Sequence, residues 1–472
     1  MFDYSDLKDS QKVFKYFEEI SKIPHGSGNT DKIADYLVSF ATERALYVRR
    51  DEANNVIIKK AATPGYEDRP GVIIQGHTDM VEAVKPGYKK DLKTEALDLV
   101  REGDILRAEG TTLGADDGIA VAYALALLDS DDIAHPALEI ILTSDEEIGL
   151  IGAGALDPYD IDARLLINID TDNEGVFTAG CAGGVRVDVE VPMRVTKSEG
   201  EFKKIKVCGM RGGHSGVEIK HGRENAIHAL FDLIKSSSAT AATGFVGGNA
   251  DNAIPRSAEC IASFEDEGKL DEAIKSTYAK YSVCEPDVVI TKEDCDTPDT
   301  AFDKPTLDNL TTLVTSLPNG VQKMSEDIAG LVETSLNLGL LESKEDKVTL
   351  ALSLRSAKDA EKDALATRVI KIAEDHGAAT RSHGSYPGWA FRRDSHLREV
   401  MCKVYEDMFG TSAKVITIHA GLECGIFSGK IPDLDCIAMG PNIHDIHTTE
   451  EHLSLSSVDR MWKFLKEVLK NV

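Results

Sequence analysis

No run of 18 or more apolar residues occurs in the 472-residue chain, so no membrane-spanning helix is expected. Basic residues are scarce: 53 Lys and Arg stand against 80 Asp and Glu, a formal net charge of −27. Phosphate recognition needs a basic surface, so no nucleic-acid partner is expected. The chain also has no basic amphipathic segment of the kind that lies on a membrane. An acidic field attracts divalent cations and basic substrates, although solubility alone accounts for most acidic chains. The first residues, Met-Phe-Asp-Tyr-Ser-Asp-Leu-Lys, lack the basic and apolar regions of a secretory signal. The eight cysteines, at 181, 208, 260, 284, 295, 402, 424 and 436, have neither zinc-finger spacing nor the pattern of a disulfide framework. The expectation is a reduced, cytoplasmic protein.

What is present is ordinary for a globular protein: 42% hydrophobic and 28% charged residues, in a chain long enough for two or three domains. The most informative stretch is Gly-Val-Ile-Ile-Gln-Gly-His-Thr-Asp at 71–79. Val72 to Ile74 read as a buried strand, and His77 and Asp79, two apart, point to one side of its end. Two further apolar strands end the same way: 138–143 runs into Ser-Asp-Glu-Glu-Ile-Gly (144–149), and 165–170 ends at Asp170. Between them, a glycine-flanked loop carries Asp116 and Asp117 into a helical segment from 119 to 128. Capping accounts for one aspartate at such a helix start, not for two. Strands ending in acid or imidazole, with helices between them, describe an α/β sheet with its site at the strands' carboxyl ends.

After Gly-Cys-Ala-Gly-Gly (180–184) the pattern becomes alternating, as in a half-exposed antiparallel sheet. The strand–helix–strand order of 257–292 recurs at 348–385, so residues 185–387 read as an inserted α+β domain in two related parts. Residues 388–472 return to strands and helices of the first kind, including the motif Gly-Pro-Asn-Ile-His-Asp-Ile-His at 440–447. The expected domains are therefore 1–184 with 388–472, a mixed, mostly parallel sheet flanked by helices, and 185–387. Residues 82–103 read as a charged surface excursion, and His25 as a solvated loop histidine. Asn29 or Thr30 is the expected cap of a helix over 31–44.

His77/Asp79, Asp116/Asp117, Glu146/Glu147, Asp170 and His444/His447 all fall at one sheet edge. Imidazole with carboxylate suits zinc, cobalt or manganese. The excess of carboxylate suggests two ions bridged by one acid, with water as nucleophile. One of Glu146 and Glu147 can stay off the metal as general base, and Asp79 can orient His77.

The motifs His-Thr-Asp-Met (77–80), Leu-Gly-Ala-Asp-Asp-Gly-Ile (113–119), Ser-Asp-Glu-Glu-Ile-Gly (144–149), Asn-Ile-Asp-Thr-Asp (168–172) and Gly-Gly-His-Ser-Gly (212–216) carry a resemblance over nearly the whole chain. It is to the aminoacyl-histidine dipeptidases, also called cytosolic Xaa-His dipeptidases or bacterial carnosinases. These belong to the di-zinc metallopeptidase group of carboxypeptidase G and acetylornithine deacetylase. The resemblance implies a dipeptidase that cleaves Xaa-His and related dipeptides through a metal-bridging water. It makes His77 and Asp170 ligands of one ion, Glu147 and His447 ligands of the other, and Asp116 the bridge. Glu146 becomes the base and Asp79 the orienter of His77. Residues 185–387 become a lid, with His214 polarising the substrate carbonyl, Asn252 and Arg355 receiving the terminal carboxylate, and Glu423 meeting the free amine. Arg355 can equally be read as an exposed strand arginine.

The alternative within the same group is an N-acyl amino acid deacylase, against which Asp170 argues, because aspartate at that place goes with dipeptidase activity in the resembled group. A metal-binding scaffold without catalysis would not need both Glu146 and Glu147. Two assemblies stay open: a monomer closed by its own lid, or a homodimer in which a lid histidine serves the partner.

Overall fold

The computed structural model describes residues 2–326, 328 and 330–472. Its chain divides into two compact units, one formed by the chain up to Gly180 with Trp389–Thr417 and Leu422–Val472, the other by Cys181–Gly388 with Ile418–Gly421.

The first unit is built on an eight-stranded sheet. Its order is Tyr47–Arg50, Val56–Lys60, Leu138–Thr143, Val72–His77, Leu165–Asn168, Asp435–Ala438, Val176–Cys181 and Lys414–Ile418. The four central strands run parallel, and Val56–Lys60 and Tyr47–Arg50 are antiparallel at one edge. Val72–His77 and Leu138–Thr143 are buried at every position, which is why their apolar residues fall consecutively, at 72–74 and 140–142, rather than alternating. The helix Ala115–Leu128 is buried on nearly every face. It packs with Gln11–Ile20, and Tyr123 stacks on Trp462 of the C-terminal helix Leu455–Asn471, with 5.6 Å between ring centroids. Phe177 stacks on Phe464 of the same helix.

A separate four-stranded sheet joins Leu99–Glu102, Ile105–Ala108, His452–Ser454 and Ile443–His444. It corrects the reading of 82–103 as surface excursion alone: Leu99–Glu102 is a ladder strand. The helix Asp31–Glu43 forms close to where expected, but no side chain caps it; Thr30 Oγ1 instead accepts from Asn54 Nδ2.

The second unit holds an eleven-stranded sheet. Its main path is Val289–Asp294, Phe202–Cys208, Ala258–Phe264, Ala239–Gly247, Val332–Lys344, Lys347–Ser356, Gly183–Pro192 and Ala379–Tyr386. Every pair on that path is antiparallel. Val185, Val187, Val189 and Val191 are buried while the residues between them are not, as the period of two requires. Ala258–Phe264 and Val289–Asp294, joined by a helix, straddle Phe202–Cys208. In the same way Lys347–Ser356 and Ala379–Tyr386 straddle Gly183–Pro192. The eight cysteines form no disulfide.

Candidate active site

His77 is the last residue of Val72–His77 and is almost fully buried. Gly76 before it allows a close approach: a Cβ there would collide with Asp117 Oδ2. That oxygen accepts from the His77 amide at 3.2 Å. Burial drives the Asp117 carboxyl well above the ordinary range. His77 Nδ1 lies 3.0 Å from the Asp79 carbonyl oxygen and 3.4 Å from Asp79 Oδ1, so Nδ1–H donates to that residue and Nε2 faces the other way.

Nε2 of His77 lies 3.1 Å from Asp116 Oδ1 and 3.8 Å from Asp170 Oδ1. The other oxygen of Asp116, Oδ2, lies 3.2 Å from His447 Nε2, which is itself 2.8 Å from Glu147 Oε1. One carboxylate thus faces two donor sets, His77 with Asp170 and His447 with Glu147. In each set of three the donor atoms lie within 4.8 Å of one another. A third such group joins His77, Glu146 and Glu147.

These donors fit two divalent cations. Several carboxylates share a largely buried space, and like charges there are costly unless a cation lies between them. The 2.8 Å approach of His447 to Glu147 Oε1 is not aligned as a hydrogen bond, although that oxygen is buried. Each histidine Nε2 faces one oxygen of Asp116 and a further carboxylate, so the three donors of each set surround a common point. Thiolates are absent, and the imidazole–carboxylate set suits a borderline or hard ion. With protons in place of ions, Asp116 and Glu147 hold His447 up to about 10. For His77, burial opposes the charge, but Asp116 and Asp79 outweigh it and raise the ring well above its ordinary value.

Asp79 does more than face His77. Its Oδ1 accepts from the Glu146 amide at 3.0 Å, and its Oδ2 from the Glu147 amide at 3.3 Å and Ser27 Oγ at 2.8 Å. One buried carboxylate therefore aligns both the histidine and the Glu146–Glu147 turn. Burial first, then the charges of Glu423, Glu147 and Asp116, push Glu146 up to about 8, against the pull of His77. A carboxylate in that range is suited to proton transfer near neutral pH.

A polar chain runs beneath this edge. Asn168 Nδ2 donates to Gln75 Oε1 at 2.6 Å, and Gln75 Nε2 and Thr143 Oγ1 donate to Glu423 Oε2. Glu423 is fully buried and its Oε1 has no partner. Burial pushes its carboxyl up to about 7. The reading of His25 as solvated is corrected: it is buried, with Nδ1 at 2.5 Å from the Ile23 carbonyl, and burial lowers its pKa. His444 lies beside His452, the rings tilted by 40° with centroids 5.0 Å apart, and belongs to neither donor set.

In the second unit, His214 lies in the short ladder Gly213–His214 with Ala253–Ile254. Its Nδ1 accepts from the amides of Gly216 and Val217, both at 3.2 Å. An accepting ring nitrogen carries no proton, so the neutral ring has its hydrogen on Nε2. Burial and then Arg355 lower the pKa of His214 and favour that neutral form. Asn252 is half-buried beside this ladder, and its carbonyl accepts from the Ser215 amide at 2.8 Å.

Arg355 is 8% exposed, so the exposed-strand reading fails. It pairs across the sheet with Gly184, where a Cβ would collide with the Tyr386 ring; Arg355 Nη1 donates to the Tyr386 hydroxyl at 3.1 Å. The Arg355 Nε–H is buried without an acceptor, a donor suited to an anion. His419 was not singled out by sequence. Burial and then Arg355 push it down to about 3, and its Nε2 lies 2.7 Å from Ser335 Oγ. Asn337 was missed as well; its Nδ2 donates to the carbonyls of Asp251 and Ala253, on either side of Asn252.

Comparison with known proteins gives a consistent set. The model of peptidase family M20/M25/M40 matches residues 73–471. The chain is 33% identical to the cytosol non-specific dipeptidase of Escherichia coli, over 98% of both chains. The crystal structure of an aminoacylhistidine dipeptidase from Vibrio alginolyticus matches at a TM-score of 0.91 with 32% identity, covering 98% of both chains. A Bacillus cereus aminopeptidase shares the fold at a TM-score of 0.58 and 16% identity, again over 98% of both chains.

Proposed function

The chain belongs to peptidase family M20/M25/M40, and on that premise we propose that it is a metal-dependent dipeptidase acting on Xaa-His and related dipeptides. The observation that carries this is Asp116, whose two oxygens face two separate histidine–carboxylate sets. His77 and Asp170 would hold one cation, Glu147 and His447 the other, and Asp116 would serve both. The donor chemistry favours zinc, with cobalt or manganese as alternatives. When bound, such ions acidify water and draw charge from a carbonyl oxygen.

The chain's own residues supply the rest. Glu146 takes a proton from the attacking water and hands it to the leaving amine. Asp79 keeps Glu146 and His77 in register. His214, neutral and protonated on Nε2, donates to the carbonyl oxygen as negative charge develops there. Arg355, with its unpaired Nε–H, and Asn252 receive the substrate's terminal carboxylate. Residence in the cytosol is part of the proposal, supported by the printed name of the Escherichia coli relative. No described helix is long and apolar enough to cross a membrane.

The test is a panel of Ala-His, β-Ala-His, Ala-Ala and N-acetyl amino acids, offered to zinc-reconstituted protein. Dipeptides should be cleaved and Xaa-His members should rank among the best. Preferential release of acetate from N-acetyl amino acids would favour the deacylase and overturn the reading.

A further inference from the structure

The stretch that carries Asp116 into its helix is capped by no side chain of its own. Its consecutive backbone amides are taken by Glu451, which is distant in sequence and 3% exposed. Oε2 accepts from Leu113 at 2.8 Å and Gly114 at 3.1 Å; Oε1 accepts from Ala115 at 2.8 Å and Asp116 at 3.4 Å. Gly114 makes this fold-over possible, with a φ of +67° and Met80 Sδ at 2.7 Å from where a Cβ would be. Asp116 itself sits outside helical geometry, at φ −83° and ψ 103°. Its direction is therefore set by what holds the amides, not by helix propagation.

Glu451 also closes the loop that carries His447. That loop lies between Ile443–His444 and His452–Ser454. Asp445 and His447 are both in the left-handed region, at φ 53° and 64°, a costly conformation for side-chain-bearing residues. The Thr448 amide and hydroxyl donate to the Asp445 carbonyl, and the Glu451 amide donates to the Thr448 carbonyl. The His447 side chain is 45% exposed and that of His77 1%, so His447 depends on its loop where His77 depends on a strand.

We propose that Glu451 is a positioning residue that assembles the Asp116–Glu147–His447 cation position by tying the loop of His447 to the backbone of Asp116. The inference rests on the two-cation reading above. Loss of Glu451 disturbs two donors of this position, Asp116 and His447. It disturbs only Asp116 of the other position, because His77 and Asp170 follow sheet strands.

Glu451→Gln keeps the shape but turns one oxygen into an NH2 group that faces two amide donors. Glu451→Asp keeps both oxygens on a shorter stem. The zinc content of both variants, the wild type and His447→Ala is measured by mass spectrometry across buffered free zinc, with melting curves alongside. The wild type should hold two ions. Glu451→Gln should release one of them at about 10- to 100-fold higher free zinc than the wild type does. Glu451→Gln combined with His447→Ala should bind as His447→Ala alone. Excess zinc should restore kcat of Glu451→Gln with little change in KM, which a general loosening of the fold would not allow.

Wild-type affinity at both positions, equal loss of both ions, or no rescue by zinc would each overturn the proposal. Failure of both variants to melt cooperatively would also overturn it, in favour of a purely structural role. A wild type that binds fewer than two ions refutes the two-cation reading itself, whatever the variants do.

Discussion

Replacing Asp79 with asparagine changes the least shape and the most chemistry at this site. The Asp79 carboxylate accepts three hydrogen bonds, from the Glu146 amide, the Glu147 amide and Ser27 Oγ, and stands 3.4 Å from His77 Nδ1. Burial works against its charge, yet His77 and the Glu146 amide hold its carboxyl below the ordinary range. An asparagine side chain would keep one oxygen. With that oxygen on the Glu146 amide, its NH2 meets the Glu147 amide donor to donor, and Ser27 must turn to accept. One bond to a charged acceptor is lost and the others weaken. Bonds of that kind contribute about 1.5–3 kcal/mol each, so the positioning of His77 and Glu146 should lose about 2 kcal/mol. At about 1.4 kcal/mol per tenfold, kcat/KM for an Xaa-His dipeptide should fall about 10- to 100-fold. Zinc affinity at the His77 position should fall in parallel. Steady-state hydrolysis at saturating zinc and a chelator competition read the two effects separately. An Asp79→Asn enzyme within twofold of the wild type in both would refute the reasoning.

Glu146→Ala should lower kcat by about 10²- to 10⁴-fold while the zinc content stays at the wild-type level; an active Glu146→Ala enzyme removes Glu146 from the base role. Arg355→Ala should raise KM for free dipeptides about 10- to 100-fold, one charge-assisted contact's worth, and leave C-terminally amidated dipeptides nearly unaffected. Equal losses on acid and amide would show that Arg355 does not read the carboxylate. His419 should make the fold acid-sensitive. Its folded pKa of about 3 lies below the ordinary 6.5, so between those values the unfolded chain binds more protons. The stability is therefore complete above about pH 6.5 and declines as pH falls toward 3, by up to about 1.4 kcal/mol per pH unit. Melting curves from pH 7 to 4 should show that slope, and His419→Gln should flatten it.

The candidate donors His77, Asp116, Glu147 and Asp170 were legible because each combines a ligand-type side chain with a strand end or glycine-flanked loop, whereas His447 was chosen over His444 only through the family resemblance. His77 and Asp170 follow parallel strands, and Asp116 opens a helix. The hydrogen bonds that hold Glu423 were not legible, because their donors Gln75 and Thr143 lie 348 and 280 positions away and no local pattern encodes that. Arg355 was legible as a residue type, but its burial depends on Tyr386 lying over Gly184. Glu451 was invisible for a different reason. Thr-Thr-Glu-Glu reads as a solvated acidic run, and its partners are backbone amides, which carry no side-chain signature. Strand order was likewise hidden: nothing local tells that Val56–Lys60 pairs with Leu138–Thr143, or that Ile418–Gly421 joins the second unit.

Two cations sharing Asp116 are the centre of this account, and stoichiometric reconstitution tests them most directly. Metal-free protein is titrated with zinc while hydrolysis of an Xaa-His dipeptide and bound metal are followed together. Activity should be absent without metal and should reach its plateau as the second equivalent per chain binds. Full activity in demonstrably metal-free protein, or a plateau at one equivalent, would contradict it.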